Sequence, residues 1–137
     1  MIFIAASIAL LFFVLACIHF YWALFGLKNP ALVLPKKTSE EKAKLPSAPL
    51  TALVGFGLLL FALVFLNEVV RLVDLSWLTH IQMGIGILFL IRAIGDFKYV
   101  GFFKTVKDSQ FSRSDTLYYS PLCLLLALLI GCLIVLG

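Results

Sequence analysis

The stretch that decides the fold is the N-terminal run MIFIAASIALLFFVLACIHFYWALFGL, residues 1–27, which contains no Asp, Glu, Lys or Arg. About 20 predominantly apolar residues suffice for a helix to cross roughly 30 Å of hydrocarbon. A signal peptide would open with a basic segment and end at a small-residue cleavage site, whereas this run begins Met1-Ile2-Phe3-Ile4 and stays apolar. We therefore expect a retained membrane span over about 2–27.

Three further apolar segments follow, at about 50–70, 77–95 and 120–137. Pro49 and Pro121 stand where the second and fourth segments begin, a position that proline favours in helices. With 63% hydrophobic and 13% charged residues, the chain is too apolar for a soluble domain. The sequence predicts one integral membrane domain over 1–137, an all-α membrane-spanning four-helix bundle with antiparallel up-down order.

The charge distribution predicts the orientation of the spans. The loops 28–49 and 96–119 are rich in basic residues, whereas Arg71 is the single basic residue of the turn between the second and third spans. Lys and Arg accumulate in cytoplasmic loops, so we expect both basic loops inside and both termini on the non-cytoplasmic side. The basic residues are Lys28, Lys36, Lys37, Lys42 and Lys44 around the first loop, and Arg92, Lys98, Lys104, Lys107 and Arg113 around the second.

The second basic loop also carries aromatic residues, from Phe97 to Phe111. Alternating aromatic and basic side chains are typical of a segment at the membrane surface, with its bases toward lipid phosphates. Nucleic-acid stacking uses the same residue types, but a loop tied to the bilayer at both ends disfavours it. The net charge of +4 is thus explained by topology, and we expect no nucleic-acid partner.

Polar residues within or beside the spans fall into two groups by depth. An ionisable side chain near the middle of a span costs roughly 2.5–3.5 kcal/mol on insertion scales, so each is a functional candidate or half of a pair. The inner, cytoplasmic group is His19, Trp22, Arg92, Asp96, Asp115 and Tyr118. The outer group is Asn67, Glu68, Arg71 and His80.

For the inner group two interpretations stay open. In the first, Arg92 and Asp96, four residues apart, form an ordinary interfacial ion pair, and Trp22 belongs to the aromatic belt. In the second, the group lines a cytoplasmic pocket in which His19 and Asp115 bind or move a proton and Arg92 holds an anionic head group. In the outer group we expect Glu68 and Arg71 to neutralise each other, with Asn67 and His80 hydrogen bonding between the second and third spans.

Cysteine and histidine spacing gives no sign of a cofactor or metal. Cys17, Cys123 and Cys132 lie in apolar segments without CxxC spacing, so we interpret them as small core residues. His19 and His80 would lie roughly 16 Å apart along the membrane normal at about 1.5 Å per residue, too far to share one haem iron. HExxH, GxSxG and P-loop motifs do not occur.

Three pieces of sequence resemble a family of small bacterial four-span membrane proteins, the domain of unknown function numbered 3995. They are His19-Phe20-Tyr21-Trp22-Ala23, then Arg92-Ala93-Ile94-Gly95-Asp96 with Gly101-Phe102-Phe103, and Asp115-Thr116-Leu117-Tyr118-Tyr119-Ser120-Pro121-Leu122. The resemblance covers most of the chain. It implies a four-helix bundle in the bacterial cytoplasmic membrane with its characteristic residues on the inner side, and it implies no activity.

Three functional hypotheses follow. The leading one is a non-enzymatic protein that binds a lipid head group, a small amphiphile or a partner membrane protein through the inner group. The second is a proton-coupled transporter acting as a homodimer, in which Glu68 or His19 titrates, because four short helices alone rarely enclose a substrate path. The third is a membrane enzyme acting on a lipid, with His19 as general base oriented by Asp115.

Overall fold

The computed structural model describes residues 1–35 and 45–137, and all regular structure in that part of the chain is helical. The helices are α1 (Ile2–Phe25), α2 (Pro30–Val33), α3 (Ala48–Val70), α4 (Leu78–Ile94), α5 (Gln110–Ser114) and α6 (Ser120–Leu136). A π-helical turn, Asp115–Tyr119, joins α5 to α6. The all-α helical bundle predicted from the sequence is confirmed. Lys36, Lys37, Lys42 and Lys44 lie outside the described residues.

The helices have the length and the surface of membrane spans. Ile2–Phe25, Ala48–Val70 and Gln110–Leu136 are long and apolar enough to cross a bilayer, and α4 is a shorter apolar helix of 17 residues. Large apolar side chains on them are exposed: Phe3 is 87% exposed and Val135 83%. Lipid tails tolerate such a surface, whereas water does not. The non-cytoplasmic location of the termini stays a prediction.

Local signals set the helix ends. α1 ends at Phe25 because Gly26 takes a positive φ of 75° and its N–H bonds back to the Trp22 carbonyl. α3 begins at Ala48, where the Ser47 hydroxyl accepts the Leu50 N–H at 3.4 Å.

The fourth apolar helix starts well before the predicted residue 120. The Ser109 hydroxyl accepts the Ser112 N–H at 3.0 Å, which caps α5 at its first turn. The π-helical turn then carries the chain into α6 without a break. Residues 110–119, predicted as part of a loop, are therefore helical.

The chain divides into two compact units. The first comprises Met1–Gly26, Pro46–Gly86 and Leu128–Gly137, and the second comprises Leu27–Leu45 and Ile87–Ala127. The single integral membrane domain over 1–137 stays a prediction. Two of the cysteines differ from the expected core placement, because Cys17 and Cys132 are exposed and only Cys123 is half-buried.

Aromatic packing between α1 and α3 forms the core of the first unit. Phe12 and Phe65 are fully buried, and their rings stack with centroids 5.7 Å apart. Phe61 meets Phe12 edge-on at 5.6 Å. Inside a bilayer, where water no longer drives helices together, such close van der Waals packing supplies much of the association energy.

Two glycines allow close approach within the first unit. A methyl group added at Gly55 would lie 3.0 Å from the Phe20 ring, and one at Gly86 would lie 3.0 Å from Ile130. Neighbouring side chains therefore pack closely against the chain at these two positions. Open space faces Gly57 and Gly84.

Replacing Phe12 by alanine should destabilise the protein by about 3–5 kcal/mol, because it removes both ring contacts and leaves a cavity. Denaturant unfolding in detergent micelles, followed by circular dichroism, measures the change. Phe13→Ala is the matched control, since Phe13 is 50% exposed and should cost much less. Equal losses in the two variants would contradict the assignment of Phe12 to the core.

Candidate functional site

A fully buried carboxylate, that of Asp115, lies at the centre of the polar groups of the second unit. Its Oδ1 accepts a hydrogen bond from an Arg92 Nη at 2.9 Å. Its Oδ2 accepts from the Gly101 backbone N–H at 2.8 Å and from Lys104 Nζ at 3.1 Å. Arg92, Gly101, Lys104, Asp115 and Thr116 are together called the charge cluster below.

Lys104 is a structural cation rather than a surface one. The residue is only 2% exposed, and its ammonium donates to the Gly101 carbonyl at 2.8 Å, to Asp115, and to the Thr116 hydroxyl at 2.6 Å. Three acceptors match the three protons of a lysine ammonium, which offsets the cost of its burial. The expectation that Lys104 points toward lipid phosphates is therefore wrong.

Arg92 lies in the last turn of α4, and its side chain is 34% exposed. One of its terminal nitrogens holds Asp115, while the other, Nη1, is buried without a hydrogen-bond partner in the described part of the chain. The interpretation of Arg92 and Asp96 as an ion pair is wrong. Asp115 displaces Asp96 because the loop after α4 directs the Asp96 carboxylate toward its own backbone.

Asp96 organises the loop that follows α4. Its Oδ1 accepts the N–H groups of Lys98, Tyr99 and Val100 at 2.9, 2.7 and 2.9 Å. Burial raises the pKa of Asp96, but the three backbone hydrogen bonds outweigh it, so the pKa lies below its usual value. The lowered pKa means that the carboxylate stabilises the folded loop at neutral pH, and this contribution is lost as the pH falls through that pKa.

Two glycines let the ends of this loop cross. Gly95 and Gly101 have φ of 89° and 91°, in the left-handed region that side chains disfavour. A methyl group at Gly95 would collide with the Val100 carbonyl, and one at Gly101 with the Ile94 carbonyl. The crossing places the Gly101 N–H against Asp115.

The π-helical turn orients the other side of the charge cluster. The Ser120 N–H bonds to the Asp115 carbonyl five residues earlier, which widens the turn. In this turn Asp115 and its neighbour Thr116 both accept hydrogen bonds from Lys104. The Tyr119 hydroxyl donates to the Leu32 carbonyl at 3.2 Å, while Tyr118 is 67% exposed and makes no hydrogen bond to the cluster.

His19 and Trp22 belong to the first unit. The His19 Nδ1 donates to the Leu15 carbonyl at 2.7 Å. The Trp22 ring lies 5.2 Å from the imidazole, centroid to centroid. A pocket shared by these residues and Arg92 stays a prediction.

The outer group makes different contacts from those predicted. The Asn67 side-chain Nδ2 donates to the Val73 carbonyl at 2.9 Å, and its Oδ1 accepts the Val73 N–H at 3.0 Å. Asn67 therefore holds in place the segment that follows its own helix. Glu68 accepts from the Gln82 amide at 2.7 Å. No ion pair joins Glu68 to Arg71 in the described chain, and His80 is exposed.

The predicted inner and outer groups do not include Gly101, Lys104, Thr116 or Gln82. Lys104 stands among several loop lysines, and no local pattern distinguishes it. Gln82 can be recognised from the sequence, because a glutamine inside an apolar helix needs a hydrogen-bond partner. Within residues 1–35 and 45–137, no group of three or more His, Cys, Asp or Glu side chains is placed to hold a metal ion.

Replacing Lys104 by methionine should destabilise the protein by about 3 kcal/mol, the low end of the range for breaking a buried pair, because Arg92 and Gly101 still hold Asp115. Thermal unfolding in detergent micelles tests this. Lys107→Met removes the same charge from an exposed position and should leave the melting temperature nearly unchanged. If both variants melted alike, the structural role of Lys104 would be refuted.

Comparison with known proteins identifies the family of the chain. A family model described as "Protein of unknown function (DUF3995)" matches residues 12–130, which include the charge cluster and most of each long apolar helix. No curated protein and no solved structure matches the chain. The family resemblance inferred from the three sequence pieces is confirmed: the chain is a membrane protein and belongs to the DUF3995 family.

Proposed function

We propose that this membrane protein is non-enzymatic and binds the phosphate of an anionic lipid head group at the charge cluster, with Arg92 as the contact residue. The observation that carries the proposal is that two cations share one carboxylate. Arg92 and Lys104 both bind Asp115, so the cluster holds one positive charge in excess. An anion would neutralise that excess.

Arg92 is the cation free to meet such an anion. Lys104 has all its protons engaged and is buried, whereas the Arg92 side chain is one-third exposed and keeps Nη1 without a partner in the described residues. A guanidinium is planar and carries five donors, a geometry that matches phosphate oxygens. The bond to Asp115 fixes the guanidinium in advance, which lowers the entropic cost of binding.

The surroundings of the cluster favour a lipid as the source of the phosphate. Large apolar and aromatic side chains of the same unit are exposed, Phe103 by 63% and Leu117 by 59%. Exposed cations accompany them, including Lys98 and Arg113. Aromatic and basic side chains together are typical of the head-group level of a bilayer.

The bonding of Asp115 weighs against the lipid-enzyme hypothesis. A carboxylate whose oxygens already accept three hydrogen bonds and face two cations is poorly suited to accept a proton or to orient a general base. This removes the support that the lipid-enzyme hypothesis drew from Asp115. Transport by a homodimer depends on His19 or Glu68 in the other unit, and neither residue contributes to the charge cluster.

Replacing Arg92 by glutamine should abolish selective binding of phosphatidylglycerol. Native mass spectrometry of the purified protein with equimolar phosphatidylglycerol and phosphatidylcholine measures the bound lipid. Wild type should retain the anionic lipid at least about tenfold better, corresponding to roughly 1.4 kcal/mol. Arg92→Lys should be intermediate, since an ammonium keeps the charge without the fork of donors.

Arg113→Gln is the matched control, because it removes one exposed cation from the same unit and leaves the cluster intact. It should retain the preference for phosphatidylglycerol. Circular dichroism of each variant checks that it has folded into helices. Selective binding that persists in a folded Arg92→Gln protein, or that disappears equally in Arg113→Gln, would refute the assignment.

A further inference from the structure

The first unit contains a cavity of about 310 Å³ that the charge cluster does not use. It lies where α1 and α4 begin and where α3 and α6 end, and these helix ends belong to one compact unit. Its polar lining includes Glu68, Arg71, Thr79 and Gln82. Its apolar lining includes Ile2 and Leu133.

Glu68 and Arg71 line this cavity with opposite charges and do not pair with each other. Residues three apart on a helix ordinarily lie close enough for an ion pair. Here Arg71, the residue directly after α3, takes a left-handed conformation with φ 50°. Its backbone therefore leaves the helical path, and the described residues contain no ion pair between the two.

Gln82 holds the Glu68 carboxylate in place. The glutamine is only 3% exposed, and its Nε2 donates to Glu68 Oε1 at 2.7 Å. A buried amide in an apolar bundle is costly unless it is hydrogen-bonded, so this contact fixes both side chains. The second carboxylate oxygen, Oε2, makes no hydrogen bond within the described chain and is not buried.

From this arrangement we propose that the cavity binds a small zwitterion, with its ammonium group at Glu68 and its anionic group at Arg71. Two opposite charges that line one cavity and do not neutralise each other are complementary to a ligand whose own charges are separated. The volume is near the lower end of the range for small-molecule sites, about 300–1,000 Å³, which suits a molecule of amino-acid size. Ile2 and Leu133 would contact a short aliphatic portion.

The same chemistry occurs in a free amino acid and in an ethanolamine phosphate head group, so the experiment includes both sources. Isothermal titration calorimetry of the detergent-solubilised full chain measures the dissociation constants. The zwitterions are L-alanine and phosphoethanolamine, and the single-charge probes are ethylamine and acetate. Native mass spectrometry in phosphatidylethanolamine nanodiscs tests the lipid. At least one zwitterion should bind about tenfold or more tighter than either single-charge probe.

Variants identify the residues. Glu68→Gln and Arg71→Gln should each weaken zwitterion binding at least about tenfold, while phosphatidylglycerol binding at the charge cluster is unchanged. Asp74→Asn is the matched control, because Asp74 is exposed and is not among the residues that line the cavity. It should bind as wild type.

The proposal is overturned if ethylamine or acetate binds as tightly as the zwitterions, or if no zwitterionic probe, lipid included, binds. It is likewise overturned if folded Glu68→Gln binds as wild type. Should a variant fail to fold, the comparison of probes on the wild-type protein still decides. Loss of phosphatidylglycerol selectivity in Arg92→Gln bears only on the charge cluster, so the two proposals fail independently.

Discussion

The second unit depends on one constraint: a carboxylate buried to 0% exposure must be compensated on all sides. An unpaired charge in a low-dielectric interior costs several kcal/mol, so Asp115 is tolerated only with its cations and backbone donor in place. Arg92 comes from the end of α4, Gly101 and Lys104 come from the loop, and Asp115 itself lies in the π-helical turn. One side chain therefore joins three consecutive parts of the chain.

The loop geometry follows from the same requirement. For Gly101 to donate to Asp115, the chain must turn back across Gly95 within a few residues, and only residues without a side chain permit that crossing. Asp96 satisfies the three N–H groups that the turn leaves without helical partners. Asp115 thus ties together two of the family's sequence pieces. They are the Arg-Ala-Ile-Gly-Asp piece with the Gly101 that follows it, and the piece that begins at Asp115 itself.

The excess positive charge links the charge cluster to the proposed function. A symmetric pair of one cation and one anion would be self-sufficient, whereas the charge cluster has a second cation. Lys104 is buried and makes only internal contacts. Arg92 is partly exposed, and its bond to Asp115 fixes its position. In the proposed function, the same guanidinium compensates Asp115 and recognises the anion.

Sequence patterns predicted the helices well and the partners poorly. Hydropathy locates four apolar helices because lipid exposure demands long apolar runs, and the cost of burying charge singles out Arg92 and Asp115. It does not reveal that Lys104, in a basic loop, folds inward, because that depends on a turn made by Gly95 and Gly101. Likewise, helical spacing paired Glu68 with Arg71, but Arg71 takes a left-handed conformation and Glu68 accepts a hydrogen bond from the buried Gln82 instead.

Amide hydrogen exchange in the Asp115→Asn protein, resolved by residue, tests the central role of the buried carboxylate most directly. If Asp115 holds the loop, the Gly101 amide should exchange at least about tenfold faster than in wild type, while amides of Ile8 and Phe12 in α1 keep their protection. A Gly101 amide that exchanged at the wild-type rate would contradict the account.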